Sequence, residues 1–293
     1  MTTPTEVPRQ DRQVGWALAA GGMLLVSTDS YFVRLGDAPG ATMAFLMACG
    51  STVTLGLAAA WPRSSDDSLT ARARHAPRAL LIVAVLSAAT QLAFIVAVTR
   101  SSVSNVVVIV AGAPLVAAIA AAVLLGERPR RNVQVAIAMT TVGIAAVMSG
   151  SLGTPSLDGD LLAVLAIICF ALSIVAWRRH PDLDRPLTLA SGSLIMAIGT
   201  LPMVDWSAID ARALLAGALM GLIANPAGRM LYSSAPRFAP AAEVAVFAPV
   251  ETVAATLWAW LAFSEAPSLR TSLGGAIVIA SVLVATRGER SES

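Results

Sequence analysis

The chain contains no lysine, only two cysteines and two histidines, and charged residues fill just 13% of its 293 positions. A soluble domain carries roughly 25% charged residues, so about half the usual supply is missing. With an apolar fraction of 56% and a mean hydropathy of +0.74, that shortage excludes an ordinary water-soluble fold. Cys49 and Cys169 fall inside apolar runs, where a lone thiol packs as a small hydrophobe, and no CxxC or Cys/His metal spacing is present. His75 and His180 lie in polar loops beside arginines. Nucleophile-elbow, HExxH, P-loop and dinucleotide-binding strings are all missing. An intramembrane enzyme, such as a lipid-modifying transferase, needs a nucleophile–base or metal constellation at common depth, and the sequence offers none. No cofactor is called for, and a net charge of +2 gives no footprint for nucleic acid.

What is there is apolar and segmented. Runs occupy about 14–33, 41–61, 79–99, 103–125, 132–149, 161–177, 188–204, 213–233, 240–262 and 271–286. Each approaches the length that crosses about 30 Å of hydrocarbon as a helix. None alternates as barrel strands must, so the fold class read here is an all-α membrane protein of ten transmembrane helices. The first run is too long for a secretory leader and is read as retained. With the N-terminus inside, cytoplasmic segments hold fifteen of the twenty arginines and outer segments hold Arg34, Arg100, Arg212 and Arg270. Arginine excess marks the cytoplasmic side, so both termini are expected there.

The chain also repeats itself. Arg78-Ala79-Leu80-Leu81 opens the third run and Arg212-Ala213-Leu214-Leu215 the eighth, 134 residues later. Gly126-Glu127-Arg128-Pro129 closes the fourth run and Ser264-Glu265-Ala266-Pro267 the ninth, 138 residues later. Both offsets are close to half the chain, so two five-helix repeats are expected. Five is odd, so the second repeat enters from the opposite side and the halves are inverted, as in many secondary transporters. The organisation expected is a tail at 1–13, repeats at 14–149 and 161–286, an outer linker at 150–160 and a cytoplasmic tail at 287–293.

The strings APLVAAIAAAVLLGERP at 113–129 and ETVAATLWAWLAFSEAP at 251–267 resemble the paired signature of the drug/metabolite transporter superfamily. The likeness is to its ten-helix EamA-type members, and within them most to YddG-type amino-acid exporters. It covers essentially the whole chain. In this alignment Thr252 stands where the first copy has Pro114, and Ser264 where it has Gly126. The resemblance implies export of small metabolites, amino acids foremost, across a bacterial inner membrane by alternating access. The alternative substrate class is a lipophilic cation or drug expelled against protons.

Polar groups at membrane depth single out candidate site residues. A charge at the bilayer centre costs about 2.5–3.5 kcal/mol, so each calls for a reason. Glu251 lies mid-run in 240–262, beside Thr252. The offset of 134 pairs Gln91 with Asn225, two amides that suit neutral or zwitterionic ligands. Gln91, Asn225, Glu251 and Thr252 are therefore the expected substrate-binding set, with Pro114 and Pro226 shaping helices by removing backbone donors. The offset of 138 pairs Asn105 with Glu243. Glu243 and Arg229 lie at similar depth and are expected to form an ion pair, as a brace or a cytoplasmic gate. Asp29 is expected near the outer end of its span, reaching water. Trp16, Trp61, Trp177, Tyr232, Tyr31, Trp206, Trp258 and Trp260 are read as interfacial belts.

Overall fold

The structure is a computed structural model that describes residues 9–61, 72, 74, 76–101, 106, 109–110, 112–148, 156–264 and 269–287. His75, Asn105 and Glu265 lie outside them. Every regular element among the described residues is helical. The helices are α1 (Arg9–Val26), α2 (Thr28–Gly36), α3 (Gly40–Ala60), α4 (Pro77–Arg100), α5 (Ala113–Leu125) and α6 (Arg131–Met148). They continue as α7 (Leu157–Arg179), α8 (Arg185–Thr200), α9 (Ala211–Leu219), α10 (Asn225–Ser234), α11 (Ala241–Ala245), α12 (Ala248–Phe263) and α13 (Leu269–Arg287). A π-helical segment, Met220–Ala224, joins α9 to α10. Among the described residues six helical stretches are long and apolar enough to cross a membrane, and Ala113–Leu125 and Ser272–Thr286 are shorter apolar helices. Large side chains such as Leu57, Val123 and Leu261 point outward, more than two-thirds exposed. Such a surface suits hydrocarbon and not water.

The helices start where the sequence provides caps. Asp184 Oδ1 accepts from the Leu187 amide at 2.8 Å, and Asp210 Oδ1 from the Ala213 amide at 2.8 Å. Each supplies an acceptor to a backbone N–H that a helix N-terminus otherwise leaves open. Several helices extend past the apolar runs, α1 to Arg9 and α7 to Leu157, because backbone hydrogen bonding does not stop where hydrophobicity does.

Packing repeats between the halves. α4 lies along α7, and α1 lies along α10; each contact is the other's counterpart when the halves are exchanged. The pairs α3–α8 and α6–α13 are their own counterparts. The α1–α10 contact is backbone on backbone: a Cβ on Gly22 would sit 2.8 Å from the Gly228 carbonyl oxygen. Only glycine permits that approach.

The fourth and ninth runs are both interrupted. α5 begins Ala113-Pro114 after a turn at Gly112, and α12 begins Ala248-Pro249 after a turn at Val246 and Phe247. The counterpart of Pro114 is thus Pro249, 135 residues on, and not Thr252 as the alignment from the helix ends suggests. The other ends of these helices stand 138 apart, where Gly126 (φ 71°) and Ser264 (φ 56°) both take the left-handed conformation. α12 is therefore three residues longer than α5, nearly one helical turn. That extra turn reconciles the unequal offsets.

Candidate functional site

Pro226 has no N–H, so the column from α9 to α10 must leave carbonyls without their helical donor. The Asn225 amide bonds to the Met220 carbonyl, five residues back, which widens the helix into a π turn. The carbonyls of Gly221 and Leu222 then face the missing Pro226 donor. Both are satisfied by α3: Ser51 Oγ donates to Gly221 O at 3.1 Å, and Thr54 Oγ1 donates to Leu222 O at 2.9 Å. A buried carbonyl without a donor is costly in hydrocarbon, and two hydroxyls remove that cost.

The break sets Asn225 facing inward, 3% exposed. Its Nδ2 donates to Asp29 Oδ2 at 2.6 Å, and its Oδ1 lies 3.5 Å from Ser51 Oγ as acceptor. Asp29 sits in the first turn of α2, just past the local irregularity at Ser27. It does not reach an outer surface, contrary to the expectation. The helical stretch runs from Arg9 to Gly36, which places residue 29 well inside it. The other carboxylate oxygen, Oδ1, is buried without a donor among the described residues. Trp258 Nε1 donates to Ser27 Oγ at 2.9 Å, tying α12 to the same irregularity.

Asp29 and Asn225 line a cavity of about 470 Å³. Asn225, Gln91, Glu251, Thr252 and Pro114, all singled out from sequence, share its wall. Pro226 is buried behind the wall, where it shapes the helix. Gln91 differs from Asn225: it is half-buried, and its Nε2 donates to the Ser87 carbonyl of its own helix at 3.2 Å. Arg229 also lines the cavity, and Arg229 and Glu251 both lie within electrostatic range of Asp29. The charged and amide groups thus comprise two carboxyls, one guanidinium and two amides, joined by hydroxyls such as Thr252 and set among apolar walls that include Phe94, Phe170 and Trp177.

The ion pair expected between Arg229 and Glu243 is not formed. Glu243, 4% exposed, instead meets Arg12 Nη1 at 3.5 Å and accepts from Trp16 Nε1 at 3.0 Å. Equal depth does not imply a shared face. Arg12 and Trp16 are four residues apart on α1, one above the other, so both reach the same carboxylate. Nearby, Glu127 Oε1 accepts from Arg178 Nε at 2.8 Å while Oε2 accepts from the Ala241 amide at 3.2 Å.

Two further expectations on aromatics need correction. Trp177 is buried and lines the cavity, as does Tyr232, which stacks on Phe170 with ring centroids 6.1 Å apart. Neither is a belt residue. Trp61 and Trp206 are largely exposed, as a belt requires. Sequence reasoning missed Asp29, Arg229 and these two rings as cavity groups. For Asp29 a signal existed, since Ser27-Thr28-Asp29-Ser30 has apolar sequence on both sides.

No curated protein sequence matches the chain. Among 29 matching chains of solved structures, one, described only as the crystal structure of a protein, superposes with a TM-score of 0.77. It is 18% identical, and the superposition covers 93% of this chain and 96% of that one, a likeness of fold. The sequence profile of the EamA-like transporter family matches twice, over residues 13–149 and 157–287. Matched over nearly its whole length, with apolar helices around a cavity that carries a few charged and amide groups, the chain belongs to the EamA-like transporter family of membrane proteins that move small molecules.

Proposed function

We propose that the protein is a secondary transporter that exports small zwitterionic metabolites, amino acids foremost, across a bacterial inner membrane by alternating access. Ten spans, as two inverted five-helix repeats with repeats at 14–149 and 161–286 and both termini in the cytoplasm, form the corresponding topology. The reciprocal helix pairings between halves support it. One observation carries the substrate class: opposite charges and amides line one cavity. Asp29 and Glu251 suit an ammonium group, Arg229 a carboxylate, and Asn225 and Gln91 can donate or accept to either. Apolar walls leave room for a side chain. Gln91, Asn225, Glu251 and Thr252 are the substrate contacts in this reading, joined by Asp29 and Arg229.

A second reading is favoured by the excess of carboxyls over guanidinium. There the substrate is a lipophilic cation, Glu251 is its countercharge and proton carrier, and Glu251→Gln abolishes gradient-driven transport while sparing exchange. Counterflow in proteoliposomes separates the two. Amino acids on the far side should accelerate exchange of a labelled amino acid, and Arg229→Gln should abolish it. Acceleration by cations alone selects the second reading. No saturable counterflow with either panel contradicts both.

A further inference from the structure

A second cavity, of about 600 Å³, opens where the turn between α7 and α8 meets the end of α10. It shares no lining residue with the central one. Three arginines from separate places in the chain converge on it: Arg72, Arg185 and Arg237. Two carboxylates share the wall, Asp182 and Asp184. Asp184 is already engaged, accepting from Arg72 Nη1 at 2.8 Å and capping α8 through the Leu187 amide. Arg72 Nη2 donates to the Ala59 carbonyl. The formal balance of the wall is therefore positive.

Arg185 is the unusual member. It is 6% exposed, held by Pro181 O on Nη1 at 3.1 Å, by Ser233 O on Nε at 3.4 Å, and by the Trp177 ring 5.4 Å from its guanidinium carbon. Those contacts fix the plane of the fork. Arg185 lines the cavity, and its Nη2 is buried and meets no acceptor among the described residues. A buried cationic donor of this kind is costly unless an acceptor arrives. Arg237 is anchored through Nε to Pro181 O at 2.8 Å, which brings two guanidinium groups to one carbonyl. Two guanidinium groups held side by side match the several acceptor oxygens of one phosphate.

We infer that this cavity binds a phosphate group, with Arg185 and Arg237 as its principal ligands. The group belongs either to a soluble phosphate or to the headgroup of an anionic phospholipid, since basic pockets between membrane helices take such headgroups. Met230, Leu183 and Pro186 supply an apolar flank beside the arginines.

The test uses the full-length protein in phosphatidylcholine nanodiscs, titrated with inorganic phosphate against chloride at equal ionic strength. A parallel set carries phosphatidylglycerol in the discs. Saturable thermal stabilisation by phosphate in plain discs identifies the soluble source. Stabilisation that requires phosphatidylglycerol identifies the headgroup. In either case Arg237→Gln, an exposed position that keeps a side-chain donor, should raise the half-saturating concentration about tenfold. Arg185→Gln should abolish the effect where it folds. Absence of saturable stabilisation by both probes, or an unchanged response in Arg237→Gln, overturns the assignment.

Discussion

The two halves of this molecule share a scaffold but not its chemistry. Gln91 and Asn225 stand 134 residues apart at matching places on the cavity wall. Gln91 sits on one uninterrupted helix, α4, and among the described residues bonds within that helix. Asn225 sits at a π-helical break and bonds to groups from two other helices, Asp29 of α2 and Ser51 of α3. The charges follow the same asymmetry. Arg229 corresponds at the 134 offset to Ile95, and Glu251 at the 135 offset to Val116. An internal repeat thus preserves which helices touch while leaving single positions free to diverge. The second half carries the break, the extra turn of α12 and most of the cavity's charge.

The largest expected difference concerns Gly221 and its counterpart, Ser87. A Cβ on Gly221 would lie 2.6 Å from the Met47 carbonyl oxygen, backbone that cannot step aside. Gly221→Ala should cost about 2–3 kcal/mol by overpacking. Ser87→Ala keeps the carbonyl that Gln91 uses and should cost no more than about 0.6 kcal/mol, the mean for a polar contact in a membrane. Thermal unfolding in detergent checks both, and equal losses would erase the contrast.

The amides come next. Asn225→Ala leaves the Asp29 carboxylate without its donor, so it should lower both stability, by about 1–3 kcal/mol, and substrate affinity. Gln91→Ala should leave the melting temperature nearly unchanged and weaken affinity alone. Melting curves and binding isotherms on the same preparations separate the two effects.

The smallest effect sharpens the account of the break itself. Thr54→Val should cost about 0.6 kcal/mol, since it strands the Leu222 carbonyl. In a Pro226→Ala background the restored N–H can serve that carbonyl, so the same change should cost less. A double-mutant cycle in which Thr54→Val costs the same in both backgrounds would show that the hydroxyl does not compensate the proline.

Much of this was legible in the residues. Most apolar runs coincide with helices, although the fourth is broken at Gly112 and its helix begins only at Ala113, and the repeated RALL string paired two amides that line one cavity. The unequal offsets already contained the extra turn of α12, but an alignment anchored at the helix ends matched Thr252 with Pro114 and hid Pro249. Which face of a helix a residue occupies could not be read from sequence. Arg229 and Glu243 lie at similar depth on faces that never meet, and Arg12 reached Glu243 from a segment read as a tail. Asp29 was misplaced because the apolar run stops short of the helix that carries it. Trp177 and Tyr232 show the same limit, since a ring near a span end can face lipid or cavity with identical sequence context.

The central claim is that Gln91 and Asn225, built so differently, face one substrate. Cysteine labelling tests it most directly. With Cys49 and Cys169 replaced by serine, Gln91→Cys and Asn225→Cys are each treated with a small thiol reagent, with and without a transported amino acid. Gln91→Cys, at the half-buried site, should label faster in the absence of substrate. Substrate should slow labelling at both positions, with the same half-protecting concentration in variants matched for affinity. Labelling that substrate leaves unchanged at both positions would contradict the claim and move the binding site off this wall.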